Sequence, residues 1–399
     1  MVAYQEFVSL SRSPDSEERG KAAHLAAYAY LNHVGPADEH AALYAALFGF
    51  LDDPSVKVRA ALAYGLLHSS EAPRTIMLAL LRDSAIISRA VAQYSPVFID
   101  ADLMGLIRSA DLPMLTALAQ RANMSERVAE ALVGREDPQL TLRLLRRGDI
   151  ILGGMLLQRL AGDFGSDAAM RGALLSRADL PAAARLLLVQ KVAEDLRQAR
   201  VVKGALAEER LGRVLRDSTD TAVSVIGEKE AAKAQADYVT DLVGSERLNT
   251  RVLLHAVVTG HVLFFADCLA ELAQTPRHKV FTLLEHGSRP ALNALLARCG
   301  LGEGVRNLLA RLVLHARASD LADDVAARHY VVTALTEELI AEHAGAIPPE
   351  LEEAFAYLSE QNVVLARKAA RGVMRAFAEE ATVPMAAMKL EHQLALPAA

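Results

Sequence analysis

Apolar positions recur at helical spacing along most of the chain, and no stretch alternates polar and apolar residues for long enough to demand a strand. The clearest unit is Asp52-Asp53-Pro54-Ser55-Val56-Lys57-Val58-Arg59-Ala60-Ala61-Leu62. Either aspartate can cap the first free backbone N–H groups of a helix, and its charge suits the positive end of the helix dipole. Pro54 fits the first helical position, where an N–H would be unpaired anyway. Val56, Ala60, Ala63 and Leu67 then follow at helical spacing and are expected to face inward, with Val58 or Leu62 in the packed interior.

The phrase recurs. Asp83 opens a second copy, with Arg89-Ala90-Val91-Ala92 in the place of Arg59-Ala60-Ala61-Leu62. Asp111-Leu112-Pro113 opens a third, Asp137-Pro138 a fourth with Arg143, and Asp179-Leu180-Pro181 another with Arg185. Upstream, Asp15 to Leu31 carries Arg19 and Ala22-Ala23 and reads as an opening unit. From Asp52 the intervals to Asp83, Asp111 and Asp137 are 31, 28 and 26 residues, so the array is degenerate. Such units bury their apolar faces only against their neighbours, and several are needed for stability.

The pattern changes near residues 217–245. Asp217-Ser218-Thr219-Asp220-Thr221 reads as a turn or a cap, and Gly227 to Val243 as a polar, helix-forming connector. Asn249 to Thr259 is an apolar helix ending at Gly260. His261 to Ala273 is a second, with Phe264, Phe265, Leu269 and Leu272 on its inner face, and Pro276 and Pro290 open two more. Hydrophobic residues make up 52% of the 399, but aromatic residues only 5%, with no Trp. Close-packed Ala/Leu helices fit that composition better than sheets, which favour β-branched and aromatic residues. Helix is therefore expected for about two-thirds or more of the chain.

Two resemblances follow from these residues. The Asp-Pro-Arg phrase resembles the first helix of a HEAT-type repeat, in which Asp and Arg of neighbouring units often pair in a ladder. The run from Leu248 through Gly260 to Phe264-Phe265 resembles the bacterial family called domain of unknown function 2336, as do Ala270-Glu271-Leu272-Ala273 and Ala297-Arg298-Cys299-Gly300-Leu301. The family pattern closes on Lys-Ala-Gly-Leu-Pro, where this chain has Arg-Cys-Gly-Leu-Gly. The resemblance covers residues 50–315. It implies helical repeats in a bacterial cytoplasm and assigns no activity.

Candidate chemistry is sparse. His255, His261, His278 and His286 with Cys268 and Cys299 lack ligand spacing, so no metal and no cofactor are expected. His255 to Gly260 faintly resembles a histidine phosphotransfer helix, but no lysine is present and a helix closed by glycine explains the run. Gly300-Leu301-Gly302-Glu303-Gly304 follows no strand and precedes no Lys-Ser or Lys-Thr, so it reads as a turn, and no nucleophile elbow occurs. The N-terminus lacks a signal-peptide layout. The most apolar region, Val252 to Ala273, contains His255, His261, Asp267 and Glu271, which argues against a membrane span. Two cysteines make no disulfide framework, and a cytoplasmic location is expected.

Net charge is −6 with a pI near 6.1, which argues against a nucleic-acid binder. Charge is nevertheless uneven. Arg177 to Asp217 holds nine basic and six acidic residues, a net of +3, whereas Asp320 to Glu360 holds ten acidic residues and Arg328, a net of −9. Both can be solvated faces, or they can be docking surfaces. The candidate partner-binding residues are Arg197, Arg200, Lys203, Arg210 and Arg213 on one side, and Glu350, Glu352 and Glu353, with Glu337 and Glu338, on the other.

The expectation is an all-α, HEAT-like helical-repeat solenoid with a helical C-terminal part. Repeats occupy 1–220, the connector and further helix pairs 221–318, and acidic helices 319–399. The expected role is a non-enzymatic scaffold or regulatory protein that binds a protein partner or a second copy of itself. The alternative is a DNA-repair or other nucleic-acid-binding repeat protein.

Overall fold

A computed structural model describes residues 2–235, 237–319 and 321–380, with the side chains of 2–5, 373 and 376–380 left out. Helix accounts for 75% of the described residues, and no strand occurs among them. Two compact units divide it, one ending at Ala184 and the other beginning at Arg185.

The first unit holds α1 (Val2–Ser11), α2 (Ser16–Leu31), α3 (Ala37–Leu51), α4 (Val56–Leu66), α5 (Arg74–Leu80), α6 (Ala85–Tyr94), α7 (Asp100–Ser109), α8 (Leu112–Ala119), α9 (Glu126–Val133), α10 (Pro138–Leu145), α11 (Gly154–Phe164) and α12 (Ala168–Leu175). From α2 to α12 each even-numbered helix packs on the next even-numbered one, while α3 packs on α5 and α7 on α9. That is a two-layered stack of helix pairs. The recurring aspartate phrase marks one layer of it: Asp15, Asp111 and Asp137 accept N–H bonds at the starts of α2, α8 and α10. The sequence phrase missed Asp167, which does the same for α12.

The clearest phrase folds differently from the reading of it. Ser55, not Asp52 or Asp53, is the residue at the start of α4, and Pro54 lies outside the helix. Asp53 accepts the Ser55 N–H at 2.8 Å and is gripped by the Arg19 guanidinium at 2.7 and 3.1 Å. Its ion pair outweighs a capping role. Arg59 holds Asp83 in the same way, at 2.6 and 3.0 Å, so the expected ladder runs through α2, α4 and α6. Arg59 also donates to the Asp53 carbonyl at 2.8 Å, and Arg19 to the Ser13 and Pro14 carbonyls at 3.0 Å. Each arginine thereby ties the loop before its own helix to the next helix pair. The ladder stops at Arg89, which is exposed.

A second device replaces it. Arg121 donates to the Ala92 carbonyl at 2.9 Å, Arg147 to Ala119 at 2.7 Å and Arg177 to Leu145 at 3.3 Å. Each reaches back to the end of the preceding even-numbered helix, where carbonyls have no partner within the helix and a cation suits the dipole.

Val58 and Leu62 are fully buried, Ala63 and Leu67 nearly so, and Val56 is 42% exposed. The inner stripe of α4 therefore runs through Val58, not Val56. Small residues let α2 and α4 approach closely: Ala23, Ala26 and Ala27 are buried, and a Cβ on Gly65 would stand 2.7 Å from the Ala27 Cβ.

The boundary at Ala184 falls inside α13 (Ala182–Gln198). The second unit continues with α14 (Arg200–Ala205), α15 (Glu208–Ala232), α16 (Asp237–Gly244), α17 (Thr250–Val258), α18 (Val262–Leu272), α19 (Arg277–His286), α20 (Arg289–Arg298), α21 (Glu303–Ala318), α22 (Val325–Glu342) and α23 (Pro349–Glu380). Residue 220, the expected domain limit, and the whole Asp217–Thr221 segment lie within α15. Thr219 and Thr221 fit there because their hydroxyls donate back to the Leu215 and Asp217 carbonyls. Part of the acidic 319–399 segment, residues 381–399, lies outside the described residues.

At the centre, α17 packs on α15, α18, α21 and α23. Its end has the form expected: Gly260 at φ +79° lets the His261 N–H reach the Ala256 carbonyl at 2.8 Å, closing the helix. Phe264 and Phe265 of α18 are buried. A Cβ on Gly227 of α15 would stand 2.1 Å from the Phe264 ring, and Glu228 accepts the Phe264 N–H at 2.8 Å, capping α18 from a neighbouring helix.

Leu62→Ala should cost about 2–5 kcal/mol, while Val56→Ala six residues earlier should change little, within about 0.5 kcal/mol; urea melts of both would reveal an error in the α4 packing if the two costs were equal. Gly227→Ala would gain helix propensity in an exposed helix, about 1 kcal/mol. Here the clash with Phe264 should reverse the sign, to a loss of about 1–3 kcal/mol or more, readable as a lowered melting temperature.

Candidate functional site

In the first unit an exposed aromatic row crosses one layer of the stack. His24 and Tyr28 stand one turn apart on α2, Tyr64 and His68 one turn apart on and just after α4, and Tyr94 ends α6. The rings meet across the helices: His24 lies 5.8 Å from Tyr64, and His68 lies 5.5 Å from Tyr94. Tyr28, Tyr64 and Tyr94 are 64%, 70% and 50% exposed. Sequence reading did not single out these tyrosines. The signal lay in the four-residue His/Tyr spacing on successive units.

The second unit holds a buried polar network. Arg251 of α17 pairs with Asp220 of α15 at 2.6 Å and with Glu360 of α23 at 3.0 Å, and its guanidinium lies 5.0 Å from the centre of the Tyr357 ring. One turn on, His255 meets the Tyr357 hydroxyl at 3.1 Å through Nδ1 and the Thr221 hydroxyl at 3.2 Å through Nε2. Gln361 donates to Asp217 at 2.5 Å. Burial lowers the His255 pKa from 6.5 to about 4, and it pushes the Tyr357 hydroxyl and the Asp220 carboxyl up from their ordinary values. His255 is 2% exposed and neutral at pH 7, so it is poorly placed to receive a phosphoryl group. The network joins three helices that are distant in sequence. Sequence reading saw the histidine but not its partners.

Beside the network, α15 and α23 border a groove of about 660 Å³. Arg210, Arg213 and Val214 line one wall, and Val363, Val364 and Arg367 the other, with Asp217 and Glu360 between them. Two of the expected basic residues are therefore here. The others are elsewhere: Arg197 pairs with Glu194 of its own helix at 3.3 Å, Lys203 donates to Gln198 at 3.1 Å, and Arg200 is exposed on α14. On the acidic side, Glu338 lies 3.4 Å from Arg311, and the Glu350 carboxylate lies beside Gly304 at the start of α21. Glu337, Glu352 and Glu353 are exposed. The acidic and basic segments are joined within the chain by Glu360 and Arg216 at 3.6 Å.

No three of His, Cys, Asp and Glu converge at metal-ligand geometry among the described residues. Burial raises the Cys268 thiol well above its ordinary value and Cys299 to about 11, so both are protonated at neutral pH. No helix among the described residues is long and apolar enough to cross a membrane.

His255 makes the second unit sensitive to acid. Unfolded, it titrates near 6.5; folded, near 4. Between these values the unfolded chain binds the extra proton, so stability is full above 6.5 and falls as pH drops toward 4. The loss from pH 7 to pH 5 should be about 2 kcal/mol. In His255→Gln that part of the pH dependence should vanish, whatever its cost at pH 7; an unchanged slope in urea titrations at the two pH values would show that His255 is not the group responsible.

A family model described as an uncharacterised protein conserved in bacteria matches residues 87–349. No curated protein matches the chain.

Proposed function

The chain belongs to the bacterial family called domain of unknown function 2336, and from that premise we propose that it is a non-enzymatic scaffold or regulatory protein that recognises a protein partner. The observation that carries this reading is the exposed row Tyr28, His24, Tyr64, His68 and Tyr94 on the stacked helices of the first unit. Aromatic side chains present large, stiff contact area at low entropic cost, and they are enriched where partners bind most tightly. A repeat stack suits that use because successive units supply the same positions at a fixed spacing. The non-catalytic side of the proposal is supported by the buried titratable groups of the second unit. Arg251, Asp220, Glu360, His255 and Tyr357 are engaged with one another. A cytoplasmic setting is part of the same reading and rests on the cysteine usage, two residues that form no disulfide framework.

The alternative, a nucleic-acid-binding repeat, requires a basic face. The row is tyrosine and histidine, and the chain's net charge is −6.

The test compares the wild type with the triple variant Tyr28→Ser, Tyr64→Ser, Tyr94→Ser. A photo-crosslinking residue at position 25, beside the row and 48% exposed as Leu25, captures partners from bacterial extract in both backgrounds. The triple variant should melt within a few degrees of the wild type, because all three rings are exposed. Affinity for the captured protein should fall at least 10-fold, given about 1 kcal/mol or more per interface aromatic. Equal capture by both proteins, or saturable binding of a single-stranded oligonucleotide that the substitutions abolish, would overturn the reading.

A further inference from the structure

We propose that α23 pairs with the same helix of a second copy of this chain, antiparallel and about a two-fold axis at Val363. The argument starts from the exposed side of α23. Glu352, Ala356, Val363, Arg367, Ala370 and Met374 are exposed, and Ser359 is half-buried. At about 100° per residue these seven fall within about 40° of one line along the helix. Their intervals are 4, 3, 4, 4, 3 and 4 residues, which read the same in both directions from Val363. Four of the seven are apolar (Ala356, Val363, Ala370 and Met374), and spacing by threes and fours is what a helix presents to another helix packed along it; a seam symmetric about its middle residue fits a reversed copy of itself. Val363, 52% exposed, would meet its counterpart at the axis. Ala356 would meet Ala370, both small enough to allow close approach, and Glu352 would meet the methylenes of Met374.

Charge agrees with the same register. From Pro349 to Glu360 the helix carries four glutamates and no base; from Gln361 to Arg375 it carries Arg367, Lys368, Arg371 and Arg375 and no acid. Glu379 and Glu380 follow at the end of the helix, but the stretch from Pro349 to Arg375 is acidic in its first half and basic in its second, and such a stretch is complementary to itself only when reversed. In a two-fold antiparallel pair the same flank of each helix faces its counterpart. Glu353 and Arg371 lie on the flank toward the α15 groove, so each Glu353 would stand within about two residues' rise of the other copy's Arg371. Arg210 and Arg213 border that flank and add positive charge where the second copy's acidic half would lie. This interface is isologous and closes at two copies, so it does not propagate into fibres. It uses the second unit, whereas the protein-recognition reading rests on the first unit's tyrosines, and either can fail alone.

The test is the mass of the full chain in solution by light scattering and sedimentation. At tens of micromolar protein and low salt, the wild type should run at twice 42.9 kDa. Raising the salt from about 0.1 M to about 1 M shortens the Debye length from about 10 Å to about 3 Å and should weaken the pair. Val363→Glu places two charges at the axis and should give a monomer with an unchanged circular dichroism spectrum. Glu353→Lys and Arg371→Glu should each weaken self-association at least 10-fold. Mixed together, the two single variants should form a heterodimer, and the double variant should regain the homodimer. Val363→Cys should cross-link to itself under mild oxidation. A wild type that stays monomeric at 100 µM, a dimer indifferent to Val363→Glu, or charge variants that fail to rescue one another would overturn the proposal.

Discussion

Short helices leave many backbone groups without partners, and in this chain arginine side chains close that gap. A helix of eight residues leaves about eight N–H and C=O groups free at its ends, about twice as many as the hydrogen bonds within it, and four of the helices in the first unit have that length. Arg121, Arg147 and Arg177 each reach back to carbonyls at the end of a preceding helix. In the second unit Arg277, Arg298 and Arg317 do the same for α15, α18 and α19, the last with three of its nitrogens on the Leu283, Leu284 and Gly287 carbonyls. Charged donors make stronger bonds than neutral ones, and the cation also suits the negative helix end. The apolar core supplies the driving force, but these contacts fix which helix follows which.

The two units use buried charge differently. In the first, Arg19–Asp53 and Arg59–Asp83 sit at the edge of the core, each with its remaining donors on a nearby carbonyl. Those pairs hold Asp53 and Asp83 below the ordinary carboxylate range, through hydrogen bonds from the arginines. In the second, Arg251 draws α15 and α23 onto α17 through two carboxylates and an aromatic ring. Replacing one member of such a group leaves a buried charge unpaired, which costs more than the intact group contributes. The network therefore specifies one packing of three helices more than it adds stability.

The candidate docking features lie at the margins of these cores. The aromatic row stands on the outer side of helices whose inner sides carry Ala22, Ala26, Val58 and Leu62. The seam of α23 lies on the outer side of a helix whose inner side carries Leu351, Tyr357, Leu358 and Leu365. In both places inward residues fix the helix so firmly that the outward ones are presented in a set geometry.

Local sequence determined much of this protein. Helix content, the start of α2, α8 and α10 at aspartate, the end of α17 at Gly260 and the burial of Phe264-Phe265 all follow from short-range rules of capping, turn chemistry and periodicity, and they were legible. So was the idea of an Asp–Arg ladder. Tertiary structure decided the rest. Asp53 left its capping role because Arg19, 34 residues away, held it more strongly. Asp217–Thr221 stayed helical because Arg251 and Gln361 satisfy its acids from other helices. Val58, not Val56, faces inward because the position of α2 sets the rotation of α4, and residues two apart stand about 160° apart around a helix. The partners of His255 and the location of Arg213 beside Arg367 were not legible, because pairing over about a hundred residues depends on how helices stack. A single sequence records the period of each helix, but not the neighbour that each side will meet.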